Sequence, residues 1–292
     1  MPGPVELLVN PAAGAGRAAR ARPAVEARLR ALGVAFSIEL TRDLAHAREL
    51  ATRAARAGRT VVTLSGDGVL GAVAGALREV PGAVLGVLPG GKGNDFARAV
   101  GIPLDAAEAC EVVARGRARA VDLGDADGHT FVGIASLGFD SDANRFADAL
   151  PARLGRAVYV IGGMRALMRW RPAGFEVDVD GERVAFRGWT VAAANSGVHG
   201  GGMLLAPGAR LDDGRLDVVL LSATGRGRFV SALPKVYRGT HVDESFVHVL
   251  RGAEVRVSAD RAFTVYADGE PVGELPMIVR AVPAAVRVLV PS

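Results

Sequence analysis

The chain has 292 residues, 50% of them hydrophobic and 23% charged, with a formal charge of +4 and a pI near 9.8. That length supports two modest domains, each with its own core. The small, scattered positive excess suits nucleotides or acidic lipid surfaces. It excludes a nucleic-acid binder, because no basic run is interleaved with aromatic residues.

Cys110 is the only cysteine. This rules out an intrachain disulfide and a thiolate metal site, and fits a reducing, cytoplasmic setting. Residues 1–5 place no basic segment ahead of an apolar one, so no signal peptide is expected. No apolar stretch approaches membrane-spanning length.

Residues 5–9 are a short apolar run and the first predicted strand. Asn10-Pro11-Ala12-Ala13-Gly14-Ala15-Gly16 is the turn after it, and the Ala/Arg-rich residues 17–32 are predicted helical. Gly33 ends that helix. The second strand spans 34–40 and closes on Thr41, and a helix follows over 43–57. Thr41 is at least a candidate cap for that helix.

Residues 60–64, rich in β-branched side chains, lead into Leu64-Ser65-Gly66-Asp67-Gly68-Val69 and a small-residue helix over 70–77. A strand, a glycine turn and a helix start make a phosphate cradle, because N–H groups point outward and glycine admits an anion. Asp67 is the unusual member. A carboxylate beside a phosphate is repelled unless a metal ion or a hydroxyl proton lies between them, which points to phosphoryl transfer rather than binding alone. Gly-Asp-Gly is also an ordinary turn.

A second unit of the same kind follows. Residues 84–88 read as a buried strand, then Pro89-Gly90-Gly91-Lys92-Gly93-Asn94-Asp95 as its loop. Two such units predict a parallel sheet with neighbouring loops at its carboxyl edge, where ligands bind in open α/β sheets. Lys92 and Lys235 are the only lysines in an arginine-rich chain.

A helix over 103–115, a basic turn at 116–119 and a passage at 120–124 complete a doubly wound α/β domain, residues 1–122. Over 123–292 the texture changes to short alternating runs at 130–135, 175–179, 184–189, 191–194, 216–221, 246–250, 254–258, 263–267 and 286–290. These are the signature of an antiparallel β-sandwich or barrel, and the sandwich is the expected form. One helical segment, 154–170, interrupts it. Its apolar residues and five flanking arginines fit a cover for the sandwich or a contact with an anionic membrane.

Asn10-Pro11 with Gly14, Ser65-Gly66-Asp67-Gly68, Gly91-Lys92-Gly93-Asn94-Asp95, Asp213-Gly214 and Asp268-Gly269-Glu270 together resemble the diacylglycerol kinase catalytic family, which includes bacterial lipid kinases and sphingosine kinases. The resemblance covers nearly the whole chain. It implies an ATP-dependent lipid kinase with ATP and Mg²⁺ as cofactors. The nucleotide would be held by Asn10, Pro11, Gly14, Thr41, Ser65, Gly66, Asp67, Gly68, Val69, Gly71, Gly91, Lys92, Gly93 and Asn94. Asp67 would be a metal ligand or a base, while Asp268 and Glu270 would serve the acceptor hydroxyl.

The resemblance also implies a structural Mg²⁺ at Asp213, with main-chain oxygens of Arg210 and Arg215. Gly138-Phe139-Asp140 with Asp142 resembles a segment near the acceptor side, and the glycines 197 and 200–202 are expected at the cleft.

Two departures stand out. The family's Thr, Asn and Glu after Gly-Asp-Gly are Val69, Gly71 and Ala72 here, and its loop Thr is Lys92, a cation for the β- or γ-phosphate. Asp180-Gly181-Glu182 repeats the late tripeptide, so Asp-Gly-Glu alone is also a hairpin signal.

The expected protein visits the membrane surface from the cytoplasm to phosphorylate a lipid hydroxyl, and a homodimer is compatible with the chain. A nicotinamide nucleotide (NAD) kinase-like enzyme and a nucleotide-binding remnant are the alternatives. The acceptor is open among diacylglycerol, a sphingoid base, phosphatidylglycerol and isoprenoid or glycolipid alcohols.

Overall fold

In the computed structural model, residues 3–139, 141, 142, 146 and 157–292 are described. The first half alternates strands and helices: β1 (Val5–Val9), α1 (Ala13–Ala31), β2 (Phe36–Leu40), α2 (Leu44–Arg56), β3 (Thr60–Ser65), α3 (Asp67–Leu77), β4 (Val84–Pro89), the short α4 (Asp95–Ala99) and α5 (Ala106–Arg115). β1 pairs in parallel with β2 and β3, and β3 with β4. The order β2-β1-β3-β4 reverses direction between β1 and β3, and the loops after β1, β3 and β4 meet at that carboxyl edge.

Every residue of β3 is buried, as a central parallel strand requires. α1 packs on α5 and α2 on α3, giving each face a helical layer. The Asp43 side chain accepts the His46 N–H to start α2, and Asp105 accepts two N–H groups to start α5.

The second half contains β5 (Arg117–Ala126), β6 (His129–Phe131), β7 (Ile134–Gly138), α6 (Ala157–Arg169), β8 (Ala173–Val179), β9 (Glu182–Ala194), β10 (Val198–His199) and β11 (Met203–Leu204). Then come β12 (Leu216–Ser222), α7 (Arg226–Val236), β13 (Val247–Gly252), β14 (Glu254–Ala259), β15 (Thr264–Ala267), β16 (Glu270–Glu274) and β17 (Met277–Val290). Antiparallel pairing runs β16-β15-β7-β9-β8-β14-β17, with β12 and β13 joined through β9. This is the expected sandwich, with its own core around Trp189, Phe175 and Val255.

β17 belongs to both halves. Met277 and Val279 sit in the sandwich core, while Val286, Val288, Leu289 and Val290 sit in the α/β core. Its end lies parallel to β4, pairing Arg287 with Val84 and Val288 with Leu85.

Several boundaries differ from the local pattern because distant pairing overrides it. Residues 117–119, expected as a turn, are strand because they pair with Val288, Leu289 and Val290. The run 130–135 splits into β6 and β7, while 184–189 and 191–194 merge into β9. α7 lies in a stretch where no element was expected. The first part of the 154–170 segment, with Arg153, Leu154 and Arg156, lies outside the described residues, as does Asp140.

Gly124 sits opposite Phe131 on β5–β6, and a Cβ built there falls inside the buried Phe131 ring. Gly124→Ala is therefore expected to destabilise by about 1–3 kcal/mol through overpacking. A lower urea midpoint at unchanged slope checks it.

Candidate functional site

The three N-terminal loops are in contact. The Asn10 N–H donates to Leu64 O at 3.1 Å, and the Gly90 N–H donates to Ser65 O at 2.8 Å. A Cβ on Gly91 would come within 2.6 Å of Gly66 Cα, and one on Gly14 within 2.5 Å of Gly90 O. Gly14 also has φ +59°, so only glycine serves there. The Arg17 guanidinium ties the loops further by donating to Gly91 O at 2.9 Å.

Asp67 is the first residue of α3 and turns inward. Its Oδ2 accepts the Asp95 N–H at 3.0 Å and its Oδ1 the Phe96 N–H at 3.1 Å. The carboxylate thus spans from the start of α3 to the start of α4. Burial raises its pKa, against the two amide hydrogen bonds that favour the anion.

Asp95 continues the pattern, accepting the Gly201 N–H from the second half at 2.9 and 3.0 Å. Asn94 takes the left-handed conformation that Asn tolerates. Its Oδ1 accepts the Gly91 N–H and its Nδ2 donates to Gly91 O, so the amide shapes the loop. Thr41 is buried at the end of β2, with its hydroxyl donating to Val9 O. The cap of α2 is Asp43.

The late acidic turn comes to the same place. Asp268-Gly269 is the two-residue loop between β15 and β16, with both residues at positive φ. The Asp268 carboxylate accepts N–H groups of Val132 (2.8 Å), Gly133 (2.9 Å) and Ile134 (3.3 Å). Burial, then the Asp67 charge, push its carboxyl up to about 7.

Two glycines of α3 make room for this approach. A Cβ on Gly71 would lie 3.2 Å from Asp268 Oδ2, and one on Gly68 would lie 3.1 Å from Glu270 Cγ. Asp67, Asp268 and Glu270 therefore surround the first turn of α3. Asp180-Gly181 forms the same kind of turn, but its carboxylate accepts exposed Ala253 and Glu254 N–H groups elsewhere.

A cavity of about 420 Å³ opens from this corner. Asp67, Lys92, Asp95 and Asp268 line one end. Most of the remaining wall is apolar, with Phe139, Leu221, Phe229, Val236 and Phe246, interrupted by Thr190, His199 and His241. Phe139 and Gly201 come from the segments expected near the acceptor side and at the cleft, whereas α7 was not expected from sequence. The spacing of Phe229, Ala232 and Val236, one face of a helix, was the available signal for α7.

Asp213 lies apart from the cavity lining, where its carboxylate accepts the Arg215 N–H and pairs with Arg251. Among the described residues no group of three or more His, Cys, Asp and Glu side chains is arranged to hold a metal ion.

Comparison with known proteins agrees with this architecture. Residues 4–126 match the model of the diacylglycerol kinase catalytic domain, and residues 133–290 match the YegS C-terminal NAD kinase beta sandwich-like domain. The chain is 35% identical over 300 residues to a diacylglycerol kinase of Mycobacterium tuberculosis, covering 99% of this chain and 96% of that one. It is 36% identical over 276 residues to a probable lipid kinase YegS-like protein of Pseudomonas fluorescens, covering 93% and 90%. A putative diacylglycerol kinase from Bacillus anthracis shares the fold, with TM-score 0.84 at 23% identity over 98% of this chain and 94% of that one.

The raised Asp268 gives a stability test. Unfolded, this carboxyl titrates near ~3.9, whereas folded it titrates at about 7. Between those values the folded state keeps a proton that the unfolded state has lost, so this group makes stability fall as pH rises. Asp268→Asn is expected to remove that decline, read as the difference in slope of urea midpoints between pH 4.5 and 7.5. Identical slopes would contradict the assignment.

Proposed function

The chain belongs to the diacylglycerol kinase catalytic family, and from that membership we propose that it is an ATP-dependent lipid kinase working at the corner just described. The observation that carries the reading is the convergence of Asp67 and Asp268 beside joined glycine loops, at the polar end of an apolar cavity. The triphosphate lies along the loops after β1, β3 and β4. The first N–H groups of α3 have no partner within the helix and face an anion well. Lys92 supplies a mobile cation for the β- and γ-phosphates. Val69 offers no hydroxyl and Gly71 no amide where the family has them, so only main-chain polar groups remain at those two positions.

The lipid lies with its chains in the apolar cavity and its hydroxyl at Asp268. Asp268 takes the hydroxyl proton as the oxygen bonds to the γ-phosphorus, the bond from the β–γ bridging oxygen to that phosphorus breaks, and ADP leaves. A base with a pKa of about 7 is matched to neutral pH. Glu270, exposed beside Gly68, is the second carboxylate at the acceptor side.

Mg²⁺ would accompany the nucleotide, neutralising phosphate charge. It usually needs only one or two protein carboxylates beside phosphate oxygens, and the Asp67 carboxylate, held by two amides, fits that role. The comparisons give no support to the NAD kinase-like or remnant alternatives.

The lipid is collected at a membrane surface. Among the described residues no helix is long and apolar enough to cross a bilayer. The two helices bordering the cavity nevertheless expose large apolar residues: Met164 and Met168 on α6, and Val230 and Leu233 on α7 with Tyr237 just after it. Leu233 also lines the cavity, so this rim forms its lip.

Labelled ATP offered with a lipid panel and with NAD tests the chemistry. Lipid labelling is expected, and Asp268→Asn should lower kcat by about 10²–10⁴-fold, the usual worth of a positioned base. The wild-type rate should climb with pH and level off above about 7, since Asp268 must be ionised. Transfer to NAD alone, or ATP binding without transfer, contradicts the reading.

Replacing Leu233 and Tyr237 by Glu tests the surface. Losing two apolar insertions of about 1.5–3 kcal/mol each at full burial should weaken binding to anionic vesicles at least tenfold, measured by co-sedimentation. Unchanged binding removes this face from the proposal.

A further inference from the structure

The family resemblance implies a divalent cation in the 210–215 loop, held by the Asp213 carboxylate and main-chain oxygens of Arg210 and Arg215. The surroundings of Asp213 do not leave that carboxylate to a metal. Its Oδ1 accepts the Arg215 N–H at 3.1 Å, and its Oδ2 accepts from Arg251 Nη2 at 2.9 Å. The same guanidinium donates through Nε to Asp217 Oδ1 at 2.7 Å and through Nη2 to Gly208 O at 3.3 Å. One planar cation thus draws two carboxylates and a carbonyl around itself.

The position of that cation is fixed by the sheet. Asp217 on β12 and Arg251 on β13 are register partners, and Asp217 is buried. The neighbouring carboxylates are also engaged. Asp212 pairs with Arg119 at 2.6 Å and with Arg210 at 3.2 Å. Asp122 accepts the Gly214 and Ala284 N–H groups, each at 2.7 Å. Asp212, Asp213 and Asp217 are therefore balanced by Arg119, Arg210 and Arg251. A dication entering the loop would have to displace a guanidinium already in hydrogen-bonding contact with both carboxylates.

We propose that Arg251 does in this chain the work of a structural metal ion, stapling the 206–217 segment to β13 as a permanently charged fork. The loop then needs no divalent cation, and magnesium reaches the protein only with its nucleotide.

Thermal unfolding without nucleotide, in EDTA and in excess magnesium, tests this on wild type, Asp213→Asn and Arg251→Met. Wild type should show no magnesium response that Asp213→Asn abolishes. Arg251→Met leaves two carboxylates without their counter-ion. It should melt several degrees lower in EDTA and recover at least half of that loss in magnesium, because the vacated oxygens now suit a hard cation. A wild-type protein that magnesium stabilises by more than about 3 °C, with the effect lost in Asp213→Asn, overturns the proposal. So does an Arg251→Met protein that melts like wild type. If Arg251→Met fails to fold, the comparison of wild type with Asp213→Asn still decides.

Discussion

The site depends on carboxylates that hold backbone amides. Asp67 holds the first N–H groups of α4, Asp95 holds Gly201, and Asp268 holds the break between β6 and β7. Each link joins separate elements, and one of them, Asp95 to Gly201, ties the α/β half to the second half. An anion accepting two or three N–H bonds is fixed in direction as well as place. The acids are thus oriented before any ligand arrives, as electrostatic preorganisation requires. The cost is charge crowding. Asp268 answers it by titrating high, because burial and the Asp67 anion both oppose its ionisation.

The glycines of α3 follow from the same constraint. Gly68 and Gly71 face Glu270 and Asp268, and Gly75 faces Thr130. Read locally, these residues weaken a helix. In the fold they form a flat track on which the second half rests. A larger side chain at position 71 would push the Asp268 carboxylate away, so Gly71 and the position of Asp268 have to be explained together. The departure from the family pattern at this position thus has a geometric counterpart at the other end of the chain.

Much of this was legible beforehand. The β-branched run at 60–64, the paired glycine loops and the shift to alternating runs after residue 123 identified both halves and the edge where they meet. Local pattern failed where distant pairing decides conformation, as at Arg117 and Arg119, whose strand exists because β17 lies beside it. It also could not tell Asp268-Gly269 from Asp180-Gly181. Both make the same turn, and only the third dimension shows which carboxylate faces the cavity. The role of Asn94 was ambiguous for a related reason: a left-handed Asn that clamps its own loop looks, in sequence, like a ligand or a cap. α7 escaped notice because Gly225, Gly227 and Pro234 mask a clear apolar face.

The path of β17 bears on how the protein is made. Residues 286–290 complete the α/β core and cover the open edge of β4, yet they are synthesised long after β4 itself, with the whole of the second half in between. A ribosome-bound chain carrying only the α/β half would show an unpaired hydrophobic strand edge until the rest emerged, the kind of surface that invites misassociation. The α/β half is therefore not a free-standing module that evolution or an engineer can cut out at the change of texture. It matures only once β17 has emerged, so the loops after β1, β3 and β4 settle together with the chamber beside them.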